Sequence, residues 1–511
     1  MGTAEHPDGL DAVVVGAGPN GLVAAATLAS AGLRVLLVEA ADRIGGGLRT
    51  EELTLPGFRH DVCSTVHPLA LASPALAGLD LGAVDLAGAR LRLAQPQIPL
   101  AHPMPPRSAG PPAQAAVVHR SIAETAAGLG RDGPTWTRTV GRLARHGLAL
   151  PEAALHPFDL PPHHPVALVR LGALGLAPVS TSARLLFRTA AARGLLAGLA
   201  AHGTVGLEAP GSGLAALVLA ALAHIVGWPL AVGGSQSIAD ALAARFIGLG
   251  GQIITGFRVR SLAELPPTPI VVLDLTPRQV VQVAAHRLPV ADARRLARHR
   301  YGPGVVKVDW ALDGPVPWAD PALARAGTVH LGGTLDEITQ AERAVVQDRH
   351  PARPFVIVVQ ASVVDPTRAP PGAQTGWAYC HVPRGSTVDM TAVIEAQVER
   401  FAPGFTERIL ARHVMGPAEL EEHDANLVGG DIAGGATSLR RLLTGPRLSF
   451  DLRRLRHDPR TLLRPPWATG TPGLYLASAA TPPGPGVHGM SGAHAAMLAL
   501  AEYRGHGRMR E

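Results

Sequence analysis

Short apolar runs, bounded by glycine, proline and acidic residues, divide the chain into alternating strand-like and helix-like segments. Ala12–Val15 is a β-branched run too short for a helix, and residues 33–38 repeat the pattern, so both read as buried strands. Between them, residues 21–31 are almost all small or apolar, as suits a helix packed closely on a sheet. An amphipathic helix is predicted at residues 237–249 and an apolar strand at 270–275. Residues 473–479 form a last strand before a C-terminal helix at 493–503. Residues 305–312 and 355–364 are β-branched and partly alternating, which points to a second sheet. Residues 121–147 read as helices broken at Asp132-Gly133-Pro134, and the proline-dense residues 96–112 as an extended loop. Joints rich in proline and glycine at 365–376 and 465–472 mark a loop and the return to the first domain, and there is no internal repeat.

The first strand runs straight into Gly16-Ala17-Gly18-Pro19-Asn20-Gly21, the context that makes a G-x-G-x-x-G pattern informative. Gly16 permits the tight turn, Gly18 lets the backbone approach a pyrophosphate, and Gly21 lets the helix pack on the strand. The helix start then turns free N–H groups and partial positive charge toward the phosphates. Glu39 closes the second strand, where a carboxylate accepts hydrogen bonds from ribose hydroxyls and repels a 2′-phosphate. The chain continues through Ala40, Arg43, Gly45, Gly46, Gly47, Arg49 and Thr50 instead of entering another ordinary helix. Those glycines allow a second close backbone pass along the same ligand.

This second stretch resembles the Arg-x-Gly-Gly segment of FAD-dependent oxidoreductases of the amine oxidase and phytoene desaturase type. Gly47 stands where the amine oxidase branch often carries arginine, so Arg43 or Arg49 is expected to face the pyrophosphate. Near the other end, Thr481 to Gly492 is a glycine-rich turn that opens a helix, and it resembles the C-terminal flavin-contacting signature of the phytoene dehydrogenase-like family. A helix start beside the flavin would stabilise the negative charge that develops there on reduction. Gly227 to Ser235 and the region of Val259 resemble the middle of the same family, in which a backbone group near Val259 meets the adenine. Residues 60–68 and 426–431 are most similar to the branch related to pyridine nucleotide-disulfide oxidoreductase domain-containing protein 2.

The resemblance implies an α/β fold, a Rossmann-like FAD-binding domain of the glutathione-reductase/amine-oxidase type with an inserted α+β substrate domain. Residues 8–85, 227–285 and 465–508 would form the first, and 86–226 and 286–464 the second. FAD is the implied cofactor, contacted by Gly16, Gly18, Pro19, Asn20, Gly21, Glu39, Ala40, Arg43, Gly45, Gly46, Gly47, Arg49, Thr50, Val259, Ser478, Ala479, Val487, Gly489 and Met490.

Composition narrows the function classes. A chain of 511 residues, 47% hydrophobic, is long enough for two or more domains with substantial cores. Its formal charge of +6 comes from scattered arginines, with Lys307 the only lysine, and no basic stripe is interleaved with aromatics, so a nucleic-acid partner is not expected. Cys63 and Cys380 form no C-x-x-C, which excludes a dithiol mechanism and leaves catalysis to the flavin. The His156 to His164 segment reads as a solvated proline-rich loop without acid or cysteine at ligand spacing, and no metal is expected. The N-terminal residues lack the basic start of a signal peptide, so a cytoplasmic location is expected, with peripheral contact on the inner face of the membrane. Residues 213–232 have spanning length but read as a buried or membrane-touching helix, and residues 166–179 join them either as a lipid-facing entrance or as an ordinary core pair.

The expected reaction is removal of hydride from a hydrophobic small molecule, with the electrons passing to a quinone or oxygen. His488, inside the flavin-proximal turn, and His67, near Asp61, are the candidate substrate-facing groups. Asp431 is expected to serve its own turn, and Glu419, Glu421, Glu422 and Asp424 to form a solvated face. Flavin-dependent isomerisation or saturation, amine oxidation, and a flavin-bearing regulatory or scaffold role with vestigial catalysis stay open as alternatives.

Overall fold

The computed structural model describes residues 9–81, 91–105, 114–157, 161–435 and 465–508. Five parallel strands build the first sheet, in the spatial order Leu474–Leu476, Ile270–Leu273, Ala12–Val15, Val35–Val38, Gln252–Ile254. They come from three stretches far apart in sequence. Val13 and Val15 face the helices Pro277–Ala284 and Val290–Ala297, while Ala12 and Val14 face Pro19–Ser30, Gln236–Gly248 and Met490–Arg508. With both faces covered, the strands read as unbroken apolar runs.

Two helices of that layer come into backbone contact at a glycine. A Cβ on Gly492 would lie 1.9 Å from the Asn20 carbonyl oxygen, and one on Gly21 would lie 1.9 Å from that of Gly16. The nucleotide-side helix Pro19–Ser30 is thus pinned between the first strand and the C-terminal helix at positions that only glycine satisfies.

The second sheet has seven strands in the order Ile409–Met415, Gly304–Leu312, Gln374–Val382, Val356–Val359, Ala326–Leu331, Ile98–His102, Ala116–Val118. One face packs with the helix Thr391–Glu399, and the other meets helices that include Ala190–Ala200 and Ser212–Ile225. Two expectations need correction. Within the proline-dense stretch, Ile98–His102 is a buried strand paired on both sides, because Ile98, Leu100 and Ala101 supply the ladder partners and Pro99 is passed over in the register with Ala326–Leu331. Residues 106–113 lie outside the described residues. The strand expected over 355–364 ends at Val359, and Ala361–Val364 turns into a helix. The apolar stretch 213–232 resolves into the helix Ser212–Ile225 and the short strand Leu230–Ala231, and no single helix among the described residues is long and apolar enough to cross a membrane.

Between the second sheet and Ala190–Ala200 lies a buried histidine group. His102 Nε2 bonds to the Gly333 carbonyl at 2.7 Å, and His202 and His330 share a 2.8 Å Nε2···Nε2 contact. Gly198 makes room for it, since a Cβ there would come within 2.7 Å of His330 Nδ1. Burial pushes His102 and His202 down to about 4 and His330 well below its usual range, so all three are neutral in the fold. The unfolded chain binds protons at these positions near 6.5. Stability is therefore fully present above about pH 6.5 and is lost as pH falls toward about 4, at about 1.4 kcal/mol per pH unit for each histidine. Melting temperatures compared at about pH 7.5 and about pH 5 should fall steeply in the native chain and less in a His102→Leu/His330→Leu variant. Equal falls in the two proteins would clear this group of the effect.

Candidate cofactor site

The strand order of the first sheet reverses between Ala12–Val15 and Ile270–Leu273, which opens a crevice at their carboxyl ends. The glycine loop enters it. Gly16, at φ +98°, donates its N–H to Val38 O at 2.8 Å, and Gly45, at φ +118°, donates to Ala17 O at 2.9 Å. The two glycine turns are thus joined, and a Cβ on Gly46 would stand 3.2 Å from Gly18 Cα. Bare backbone faces bare backbone across a cradle that side chains would fill. Glu39 is fixed beside it, accepting the N–H groups of Ala17 at 2.7 Å and Ala41 at 2.9 Å. The Phe257 N–H donates to Glu39 O at 2.9 Å, which brings the loop holding the buried Val259 to the same end of the sheet.

Of the two arginines expected at a pyrophosphate, only Arg49 is buried here. Its Nη1 donates to His423 O at 3.0 Å, its Nη2 lies 3.7 Å from Glu39, and its Nε has no partner. Arg43 is exposed and leans on Thr50 O at 3.4 Å, and Ala40 is also on the surface. Asn20 Oδ1 and Ser478 Oγ are likewise buried without partners. Buried polar atoms left unpaired beside a glycine-lined cradle fit a ligand with phosphate and hydroxyl groups.

The C-terminal turn lies directly on the nucleotide helix. Gly489 takes φ +66°, and a Cβ there would meet Val23 Cγ2 at 2.3 Å. Val487 packs into the core of the first sheet, Met490 opens the final helix, and Ala479 touches Gly434. His488 proves to be a turn residue. Its Nδ1 accepts the Met490 N–H at 3.0 Å, so Nε2 carries the proton and bonds to Gly484 O at 3.1 Å. Neither nitrogen is left for a substrate.

His67 donates from Nε2 to Ser235 Oγ at 2.8 Å, because that hydroxyl gives its own proton to Ser64 O. Its buried Nδ1 is an acceptor without a partner, and burial holds the ring near 4. Asp61 belongs to a different structure. It accepts from Thr50, Thr65, the Ser235 N–H and Arg368, which hold its carboxyl down to about 2 against the cost of burial. Thr50 therefore spends its hydroxyl on Asp61. Asp431 serves backbone N–H groups of Gly302 and Ala433.

The acidic cluster splits. Glu419 caps its helix and Glu421 pairs with Arg278, but Asp424 turns inward, with Oδ2 at 3.2 Å from where a Gly46 Cβ would be. Burial raises its carboxyl, so it is not part of a solvated face. Lys307 and Asp309, an ion pair on one face of Gly304–Leu312, are also buried. The strand's alternation of Val306, Val308 and Trp310 with Lys307 and Asp309 reads as apolar-in and polar-out. The signal that it is otherwise is the solitary lysine. Cys63 lies among these charges, its Cβ 3.6 Å from where a Gly47 Cβ would be and its thiol pushed up to about 12 by burial and by Asp424.

Fold and cradle together define a Rossmann-type dinucleotide-binding domain joined to a second, seven-stranded sheet. Residues 14–77 match the model of the NAD(P)-binding Rossmann-like domain family. Along 97% of its length the chain is 27% identical to pyridine nucleotide-disulfide oxidoreductase domain-containing protein 2 of Rattus norvegicus, 94% of which is covered. Among solved structures it resembles an oxidoreductase from Methanosarcina mazei, with a TM-score of 0.58 at 16% identity over 96% of this chain and 100% of that one. It also resembles putrescine oxidase bound to putrescine, with a TM-score of 0.57 at 16% identity over 97% and 99% of the two chains. At those identities the structural likeness shows the fold.

Removing Arg49, the only buried guanidinium of the cradle among the described residues, should weaken binding. Arg49→Ala is expected to weaken dinucleotide affinity by about 1.5–3 kcal/mol, the worth of a hydrogen bond to a charged group. Titration of the apoprotein measures it, and an unchanged dissociation constant would assign Arg49 to the Glu39 contact alone.

Proposed function

We propose that the protein is an FAD-dependent oxidoreductase that removes hydride from a hydrophobic small molecule and passes the electrons to an external acceptor, a quinone or oxygen. The observation that carries the reading is the junction of a dinucleotide cradle with an apolar wall. Val62, Tyr379, Met415 and Leu420 belong to one buried cluster, against which Cys63, Trp377 and Leu427 pack, and Cys63 adjoins Gly47 of the cradle.

The residues present fit FAD. The helix start at Pro19–Ser30 and Arg49 would hold the pyrophosphate, Glu39 the ribose, and the start of Met490–Arg508 the flavin end. When bound, FAD supplies a two-electron acceptor for a C–H or C–N donor. The wall excludes water from the donor and orients it by shape. The ion pair of Lys307 with Asp309, opposite Tyr379 and Met415 in the register, is the polar element of that wall.

Amine oxidation is the second reading, favoured by one observation. Trp377 and Tyr379 form an aromatic pair on the wall at 5.3 Å between ring centres, inclined by 77°. The purified protein, mixed without oxygen with terpenoid, polyene and amine donors while the oxidised flavin band is followed, separates the readings. Bleaching by apolar donors is expected. Bleaching by amines alone would install the second reading, and a flavin that no donor reduces would favour isomerase or scaffold roles. Lys307→Met should slow reduction by about tenfold or more with FAD content unchanged, and Lys307→Arg should restore part of the rate.

We also propose that the substrate is met at a lipid surface. The helices Pro165–Gly175 and Val179–Leu186 meet at 89° and expose aliphatic side chains, with Val169 70% and Leu185 80% accessible. Val166, Val169, Arg170 and Ala173 share one outward helical face, and Arg138, Arg142, Arg145 and Arg188 are exposed nearby in the chain. Exposed aliphatic side chains with Arg170 on the same face suit a bilayer with anionic headgroups. The protein should float with phosphatidylglycerol vesicles and not with phosphatidylcholine ones, and Val169→Asp/Leu185→Asp should abolish flotation. No flotation of the native chain would end this proposal.

A further inference from the structure

Asp274 follows the strand Ile270–Leu273 and stands at the reversal of strand order, the place where the crevice must accept a pyrophosphate. Its Oδ2 accepts the Gly21 N–H at 2.8 Å, one of the free donors at the start of the nucleotide helix. A Cβ on Gly18 would lie 3.0 Å from the same oxygen. Asp274 is 5% exposed, and among the described residues no arginine, lysine or histidine forms an ion pair with it. The charges that face it are negative: Asp424, from the loop after Pro417–His423, and Glu39, from the end of the second strand. Arg49 lies against Glu39. The remaining polar neighbour is neutral: Asn426 donates to Asp274 O and accepts the Thr276 N–H, each at 2.9 Å. Arg49 Nε and Asn20 Oδ1, both buried and unpartnered, mark the same crevice as built for a polar ligand.

We propose that Asp274 carries a proton whenever a dinucleotide is bound, so that capture of the pyrophosphate takes up a proton and weakens as pH rises. An ionised Asp274 would put a third carboxylate against the phosphates in a site with one buried arginine among the described residues. A protonated one removes that repulsion and adds an O–H donor. Burial, with Asp424 and Glu39 adding to it, has already raised the group to about 8, and the charge of a pyrophosphate moves it further in the same direction. The sign follows from linkage. Affinity is level where Asp274 is protonated before binding, below about pH 8, and falls by up to about tenfold per pH unit above it.

The inference rests on the dinucleotide reading of the cradle, and the experiment separates the two. Apoprotein is titrated with FAD by flavin fluorescence between about pH 6.5 and about pH 9.5, and calorimetry in buffers of different ionisation heat counts the protons taken up. Expected are a dissociation constant that is flat and then rises toward tenfold per unit, and proton uptake that grows from near zero toward one. Asp274→Asn should flatten the profile and abolish the uptake. Asp424→Asn should keep the dependence and move its onset to lower pH. The proton count needs only the native chain, so a poorly folding variant does not shield the proposal. Zero uptake throughout, or an unaltered profile in Asp274→Asn, overturns it while leaving the cradle intact, and failure to bind FAD at any pH overturns both.

Discussion

The position of everything around the cradle depends on one buried ion pair. Asp61 and Arg368 meet with both side chains out of solvent, and each is tied further: Asp61 to Thr50, Thr65 and the Ser235 N–H, Arg368 to Arg59 O and to Asp365. Asp365 in turn accepts the Gly233 N–H at 2.7 Å, and Trp377 donates to Asp61 O at 3.0 Å. Stretches remote in sequence thereby converge on one carboxylate. A buried pair of this kind adds little net stability over apolar residues of the same size, but losing one partner would strand the other at a cost of about 3–5 kcal/mol. Its effect is positional, holding the wall strand Gln374–Val382 against the segment that carries the second glycine turn.

The cradle itself is a balance of charge in a small space. Helix N–H groups and Arg49 supply the positive side, and Glu39, Asp274 and Asp424 the negative. Glu39 is compensated by two backbone N–H groups and Arg49, so its charge is structural. Asp274 has one N–H and, among the described residues, no cation paired with it. The nucleotide helix thus already has an internal acid at a terminus that serves external phosphate, and neutralising that acid is the physical condition for ligand and acid to coexist.

How legible the site was follows from which signals are local. The glycine loop, Glu39 and the buried strands are written in adjacent residues, and the paired approach of Gly18 and Gly46 needs only the permissive backbone that their sequence announces. Lys307 and Asp424 are different. Each sits in a pattern that is ordinary for a solvated surface, and only the cover supplied by segments hundreds of residues away buries Lys307 and half-buries Asp424 against Gly46. Asp274 lies within the apolar strand that the sequence predicts over 270–275, and an acid inside such a run is the local trace of a special site. The strand Ile98–His102 was hidden by its prolines, whose cost depends on a register that the sequence does not state.

Burial has also inverted the usual proton chemistry near the cradle. His67, His423 and His488 are held near 4 and His60 near 3, so they are neutral and weakly basic at physiological pH. Two carboxyls move the other way, Asp309 to about 6 and Asp274 to about 8. Those two acids therefore exchange protons closer to neutrality than these four histidines, in a site where sequence reading looks first to histidine. A reaction that begins by taking a proton from a weakly acidic carbon would need a base stronger than these histidines provide. Hydride transfer to a flavin needs orientation and dryness more than a base, and those are what the apolar wall and the glycine-lined cradle supply.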